Sequence, residues 1–188
     1  MMITNEQAII QMIKEDPWMM EALHSVQSLK LPDWWICAGF VRAKIWDVLH
    51  EYKQRTAIQD VDVIYFDEEN SNETEEKQWE NALKEANSIF PWSVKNEARM
   101  HVVNHIPPYK SSEDAIAKFP ETATSLGVKL DEQNDITLIA PYGISDVVNM
   151  YVKPTPYFQE HPELMMFYHQ RMTKKNWQTY WPKVTIET

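Results

Sequence analysis

The sequence predicts an α+β fold, and two observations carry that expectation. Between residues 31 and 150, segments with helical apolar periodicity alternate with short runs that are nearly continuous or two-periodic in apolar residues. The two ends, 1–30 and 151–188, are helical in pattern instead. At 188 residues the chain is long enough for one well-buried domain and short for two. It has no internal repeat and no linker-like stretch, so residues 1–188 read as one domain. That domain divides into N-terminal helices (1–30), a core (31–150) and a C-terminal helical extension (151–188).

The elements follow in order. Thr4 to Glu15 reads as a helix capped by Thr4 or Asn5, with Ile9, Ile10, Met12 and Ile13 as its apolar stripe. Pro17 starts a second, carrying Met19, Met20, Leu23 and Val26. Trp34 to Ala38 is a short buried strand ended by Gly39. From Phe40 to His50, apolar residues Val41, Ile45, Trp46, Val48 and Leu49 return at helical spacing. Asp60 to Phe66 is the second strand, and an acidic loop leads into a helix that runs towards Pro91. Ser93 to Val103 alternates, with Lys95, Glu97, Arg99 and His101 on one side, and so predicts a third strand with a polar face. Ser111 or Ser112 opens a short helix, and Thr122–Leu130 and Ile136–Ala140 form a hairpin. Another short helix passes through Asp146 and Val148, and Phe158 to Trp181 is helical and rich in aromatics.

Composition narrows the function classes. The formal net charge is −10, which disfavours long nucleic acid as a partner because like charges repel. The single Cys37 cannot form an internal disulfide, so it reads as a buried structural thiol in a reducing compartment. No apolar run approaches the ~20 residues needed to span a bilayer, and the N-terminus lacks a signal-peptide core. A cytoplasmic protein without a membrane partner is the expectation. Only three glycines occur, at 39, 127 and 143, and each is expected to mark a backbone position that needs one.

The chemistry is concentrated in Asp60-Val61-Asp62. Residues two apart on a strand share a face, and paired carboxylates resist ionisation unless a cation sits between them. Asp60 and Asp62 are therefore candidate ligands for Mg²⁺ or Mn²⁺. They follow a Gly39 turn and a helix whose first amides can face phosphate, with Arg42 in its first turn to add a charged contact. Arg42 reads equally well as a partner of Asp47 or Glu51 on a solvated face.

Ala38-Gly39-Phe40-Val41-Arg42 and Asp60-Val61-Asp62 resemble the motifs of the nucleotidyltransferase superfamily, whose core is shared by DNA polymerase β and the CCA-adding tRNA enzymes. Further segments, among them Ile45-Trp46-Asp47, Val94-Lys95-Asn96, Ala98-Arg99-Met100-His101, Ala140-Pro141-Tyr142-Gly143 and Trp177…Trp181-Pro182, are similar to a bacterial family of nucleotidyltransferase-like proteins. The resemblance implies a small mixed sheet with helices packed on one face. It implies transfer of a nucleoside monophosphate from a nucleoside triphosphate to a hydroxyl of a small molecule or protein. Asp60 and Asp62 would be catalytic metal ligands, and Gly39, Phe40, Arg42 and Lys95 would bind the nucleotide. The third carboxylate has no direct counterpart. Asp67 is out of phase with the pair, so Glu97, on the polar face of the third strand, is the choice for metal ligand or base.

Two departures bear on activity. The usual glycine pair is replaced by Ala38-Gly39 followed by Phe40, and Glu97 reads also as a partner of Lys95 or Arg99. A silent nucleotide-binding or regulatory module is the alternative. His101 and His105, four apart on a segment read as strand, are not expected to share a zinc ion. Trp177, Tyr180 and Trp181 are expected to pack the terminal helix onto the sheet.

Overall fold

A computed structural model describes residues 3–187. Helix α1 (Glu6–Lys14) starts where the Asn5 side chain accepts the Ala8 N–H at 2.9 Å. In the same way Asp16 caps α2 (Pro17–Gln27), and Pro17 occupies the first turn, where its missing N–H costs nothing. Strand β1 (Trp35–Cys37) leads through Ala38 into α3 (Gly39–Leu49), then β2 (Val61–Tyr65), α4 (Glu73–Ala86) and β3 (Trp92–Asn96). Next come α5 (Glu97–Asn104), α6 (Ser112–Ala117), a 3-10 turn at Thr122–Thr124, and the hairpin of β4 (Gly127–Leu130) and β5 (Ile136–Ile139). The chain closes with α7 (Ser145–Val148), β6 (Tyr151–Val152), α8 (Pro156–Gln159), α9 (Pro162–Lys175), α10 (Trp177–Tyr180) and β7 (Thr185–Ile186).

The main sheet has the order β3-β2-β1-β4-β5. It is mixed: β2 and β3 run parallel, and the other neighbours antiparallel. Val61, Val63 and Tyr65 of β2, Ile36 of β1, Val94 of β3 and Val128 of β4 join the main core, with residues of α1 to α4. The two-residue alternation turns Trp35, Cys37 and Ile64 to the opposite face, where Ile116 of α6 meets them. Asp62 pairs with Cys37 and Lys95 with Ile64, so both polar residues belong to this second face. Gly127 sits beside Cys37, and a Cβ there would stand 2.9 Å from the thiol sulfur, so any larger residue would force the strands or the thiol to shift. Among the described residues no helix is long and apolar enough to cross a membrane.

Several expectations are corrected. The third strand stops at Asn96, because the Asn96 side chain accepts the Ala98 N–H at 3.1 Å and so opens a helix. Glu97 to Asn104 is therefore helical, and Val102 and Val103 are exposed rather than alternating into a core. His101 lies within that helix and His105 terminates it in the left-handed region (φ +54°), so the strand argument about their spacing does not apply. Helix α4 ends at Ala86 and leaves Ile89 exposed. The terminal helical stretch is interrupted by Pro162 and by left-handed Asn176. A two-stranded parallel sheet of β6 and β7 ties the two ends of this extension together.

The aromatic end of the C-terminal extension, Trp177 and Trp181, docks on Trp46 of α3. Trp46 makes edge contacts with Trp177 and Trp181 at 5.7 and 5.2 Å. Trp181 Nε1 donates to Asp47 Oδ1 at 2.8 Å, and Asp47 also accepts the Thr56 N–H and hydroxyl. Buried Trp rings keep their N–H groups paired in this way, which fixes their orientation.

Candidate active site

Asp62 projects from the second face of the sheet, and Asp60 stands exposed just before the strand. Burial raises the pKa of Asp62 to about 6, and the charge of Asp60 adds to the rise. Lys175, Arg42 and Arg171 oppose it. Asp62, Lys95 and Glu97, with Ala38 and Arg171, line a cavity of about 530 Å³. The structure thus brings those three together, although Glu97 arrives as the first residue of a helix and not as part of a strand.

Glu97 is buried, and its pKa is pushed up to about 8 by that burial and by the charges of Glu76 and Asp62, against Lys95. It is not paired with Arg99. Arg99 instead forks onto Glu76 with hydrogen bonds of 2.7 and 2.9 Å, and Lys95 Nζ lies 3.9 Å from the same carboxylate. Glu76 is fully buried, whereas an acidic run in the sequence reads as a solvated surface. Its position four residues before Glu80, which also faces inward, was the available signal.

The turn before α3 differs from expectation. The residue in the strained region is Ala38, at φ +53° and ψ −115°, and Gly39 is already helical. A Cβ on Gly39 would meet only Arg42 Nη2, at 3.6 Å. The N–H of Ala38 is held by the Leu126 carbonyl, and those of Val41 and Arg42 by the Ala38 carbonyl. No acceptor among the described residues takes the N–H groups of Gly39 and Phe40, which are the free donors of a helix start. Phe40 contributes nothing else, since its ring is buried against Trp18 at 5.7 Å.

Arg42 is neither exposed nor paired with Asp47 or Glu51. Its guanidinium lies over Trp177 and Trp46, 4.5 and 5.0 Å from the ring centroids, and its Nε has no partner among the described residues. Burial lowers its pKa to about 10. Helix α9 supplies two cations to this region that sequence reasoning left unassigned. Arg171 lines the cavity beside Asp62, anchored by a salt bridge to fully buried Glu121. Lys175, one turn later, has its pKa lowered by burial and by Arg171 and Arg42, against the charges of Asp60 and Glu121. Their four-residue spacing puts them on one helix face, and that was the legible signal.

The donor set suits a hard divalent cation. Asp60 and Asp62 offer carboxylate oxygens, and burial together with the Asp60 charge makes the ionised form of Asp62 costly, a cost that a bound cation would offset. Among the described residues no group of three or more His, Cys, Asp and Glu side chains stands ready to hold a metal by itself. Two carboxylates completed by nucleotide phosphates and water match Mg²⁺, which keeps part of its shell from such sources.

Comparison with known proteins agrees with the fold. A solved NMR structure described as revealing a CCA-adding enzyme head domain superposes with a TM-score of 0.90 at 37% identity, covering 99% of this chain and 97% of that one. The Thermotoga maritima CCA-adding enzyme in complex with tRNA shares the fold at TM-score 0.53 and 14% identity, over 96% of this chain and 42% of that one. A CCA-adding enzyme in complex with CTP does so at TM-score 0.57 and 11% identity, over all of this chain and 44% of that one. The chain therefore spans about two-fifths of the length of those two enzymes. No curated protein matches the sequence. Residues 24–186 match the nucleotidyltransferase family, and the chain belongs to that family.

Proposed function

We propose that the protein is a metal-dependent nucleotidyltransferase, with Asp60 and Asp62 as metal ligands. It would move a nucleoside monophosphate from a nucleoside triphosphate to a hydroxyl of a small molecule or protein. The observation that carries this reading is one of charge. In a chain of net charge −10, Arg42, Arg171 and Lys175 gather opposite Asp60 and Asp62, beside two unclaimed amides at a helix start. That is the distribution a triphosphate with its cation requires. A bound Mg²⁺ or Mn²⁺ would neutralise phosphate oxygens and stabilise the charge of the departing pyrophosphate.

The chain's own residues divide the remaining work. The Gly39 and Phe40 amides and Arg42 bind phosphate oxygens, Lys175 adds charge at the Asp60 side, and Lys95 does so at the cavity side. Glu97, next to Asp62 and without a hydrogen-bonded cation, is the residue that would receive the acceptor's proton. The acidic surface favours a small acceptor over long nucleic acid. Melting curves with each nucleoside triphosphate, with and without Mg²⁺ or Mn²⁺, test the reading, and release of pyrophosphate completes the test.

A second reading keeps nucleotide binding without turnover. Strained Ala38 at the phosphate turn favours it, because a side chain stands where a glycine gives the backbone closer approach. Nucleotide-dependent melting shifts without pyrophosphate release would select it.

A further inference from the structure

Glu121 is fully buried beside the cations of the candidate site, where its charge acts on Arg42 and Lys175 as well as on Arg171. Its position just before the 3-10 turn is tightly fixed. Its carbonyl accepts the N–H groups of Thr124 and Ser125 at 3.0 and 3.1 Å and the Ser125 hydroxyl at 3.0 Å. The Thr124 hydroxyl is shared between that carbonyl and the carboxylate Oε2, at 2.9 and 2.7 Å. A carboxylate held this firmly can hold its own partner in one place.

That partner is Arg171 of α9. Its Nε donates to Oε1, and its Nη2 lies 3.4 Å from Oε2, so one edge of the guanidinium is taken. A guanidinium is a planar fork of five N–H groups, and pairing along one edge leaves another edge free to donate. No acceptor among the described residues takes the Nη1 group. Arg171 lines the cavity with Ala38 and Asp62, and its charge already favours the ionised form of Asp62. Fastening α9 does not require the pair, because Tyr168 of the same helix is buried and donates to the Glu187 carbonyl at 2.8 Å. Arg42 shares the arrangement: its Cζ and that of Arg171 lie 4.5 and 6.0 Å from the centroid of one Trp177 ring. Two like charges so placed repel, and the buried Glu121 carboxylate offsets that repulsion.

We propose that Glu121 is a positioning residue of the triphosphate site: it holds Arg171 by one guanidinium edge so that a free edge grips a phosphate group. This role rests on the transferase reading above for the place of the triphosphate. The ligand class it serves is a linear chain of phosphates with its divalent cation, whatever nucleoside is attached. A lysine at position 171 has no second edge to offer, so charge alone does not fill the role.

Calorimetry on the full chain with Mg²⁺ and inorganic tripolyphosphate, which carries neither base nor sugar, tests this. Arg171→Lys and Glu121→Gln should each weaken binding about tenfold, and the double variant should bind little worse than either. Wild-type affinity in Glu121→Gln, or losses that add in the double variant, would overturn the assignment. Should a variant fail to fold, NMR of the wild-type guanidinium groups decides by itself. On addition of Mg²⁺ and tripolyphosphate the Arg171 Nε–H signal should persist while its Nη signals shift. Loss of the Nε–H signal, or unmoved Nη signals, would overturn the assignment too. Tripolyphosphate binding that depends on Glu121, with no pyrophosphate released from any nucleoside triphosphate across a panel of hydroxyl acceptors, would uphold the positioning role and instead defeat the transferase reading.

Discussion

Glu76 grips Arg99 through two hydrogen bonds, of 2.7 and 2.9 Å, and thereby leaves Glu97 facing Asp62 without a hydrogen-bonded cation. Two carboxylates that share a basic neighbourhood are thus given different tasks. Glu76 is neutralised and structural, and Glu97 stays available at the cavity.

That division predicts opposite outcomes for two substitutions. Arg99→Met leaves the buried Glu76 carboxylate without its main partner, and unfolding by urea should show a loss of about 3 kcal/mol. Glu97→Gln removes no hydrogen bond, so its urea midpoint should stay near wild type. Pyrophosphate release should nevertheless fall by about a hundredfold, the usual contribution of a general base.

Ala38 predicts a gain. Its backbone, at φ +53° and ψ −115°, lies where a side chain costs on the order of 1 kcal/mol or more. Ala38→Gly should raise the urea midpoint at unchanged slope, since the strain it relieves exceeds the added freedom of the unfolded chain. It should also tighten nucleotide binding, measured by calorimetry, because the phosphate turn loses a methyl group. A lowered midpoint would show that the turn is not strained.

Asp16 predicts a pH dependence. It accepts from Lys44 at 2.8 Å, from Arg55 at 2.5 Å and from the Met19 N–H at 3.2 Å. Burial pushes its carboxyl up, but the Lys44 hydrogen bond, the Arg55 charge and the amide together hold its pKa below the usual 3.8. With a depressed folded pKa the unfolded chain takes the proton first. The stabilisation is therefore complete above 3.8 and fades as pH falls through the lower, folded value. Asp16→Asn should be less stable than wild type by a margin that is flat from neutral pH to about pH 5 and closes below about pH 4. A margin that stays constant to pH 2 would remove Asp16 as the source.

Much of this layout is written locally in the sequence. The helix starts at Asn5 and Asp16 lie where short polar side chains precede apolar periodicity, and β2 announces itself by β-branched residues after Asp-x-Asp. The register that puts Asp62 on the cavity face follows from two-residue alternation alone. Where local pattern misleads, one side chain has competed successfully with it. Asn96 caps a helix in the middle of an alternating run, so that Val102 and Val103 emerge on a surface instead of in a core. Arg42 illustrates what no local pattern contains. Its surroundings are Trp46, four residues on, and Trp177, brought in from the far end of the chain. Arg171 and Lys175 are likewise invisible as site residues until α9 folds back over the sheet face, held by Glu121.

The central claim is that Asp62 seats the cation through which a nucleoside triphosphate is held and cleaved. Pyrophosphate release from nucleoside triphosphates in the presence of Mg²⁺ and a panel of hydroxyl acceptors, compared between wild type and Asp62→Asn, tests it most directly. The account predicts metal-dependent release by wild type and none above background by a folded Asp62→Asn. Equal release by the two proteins would contradict it.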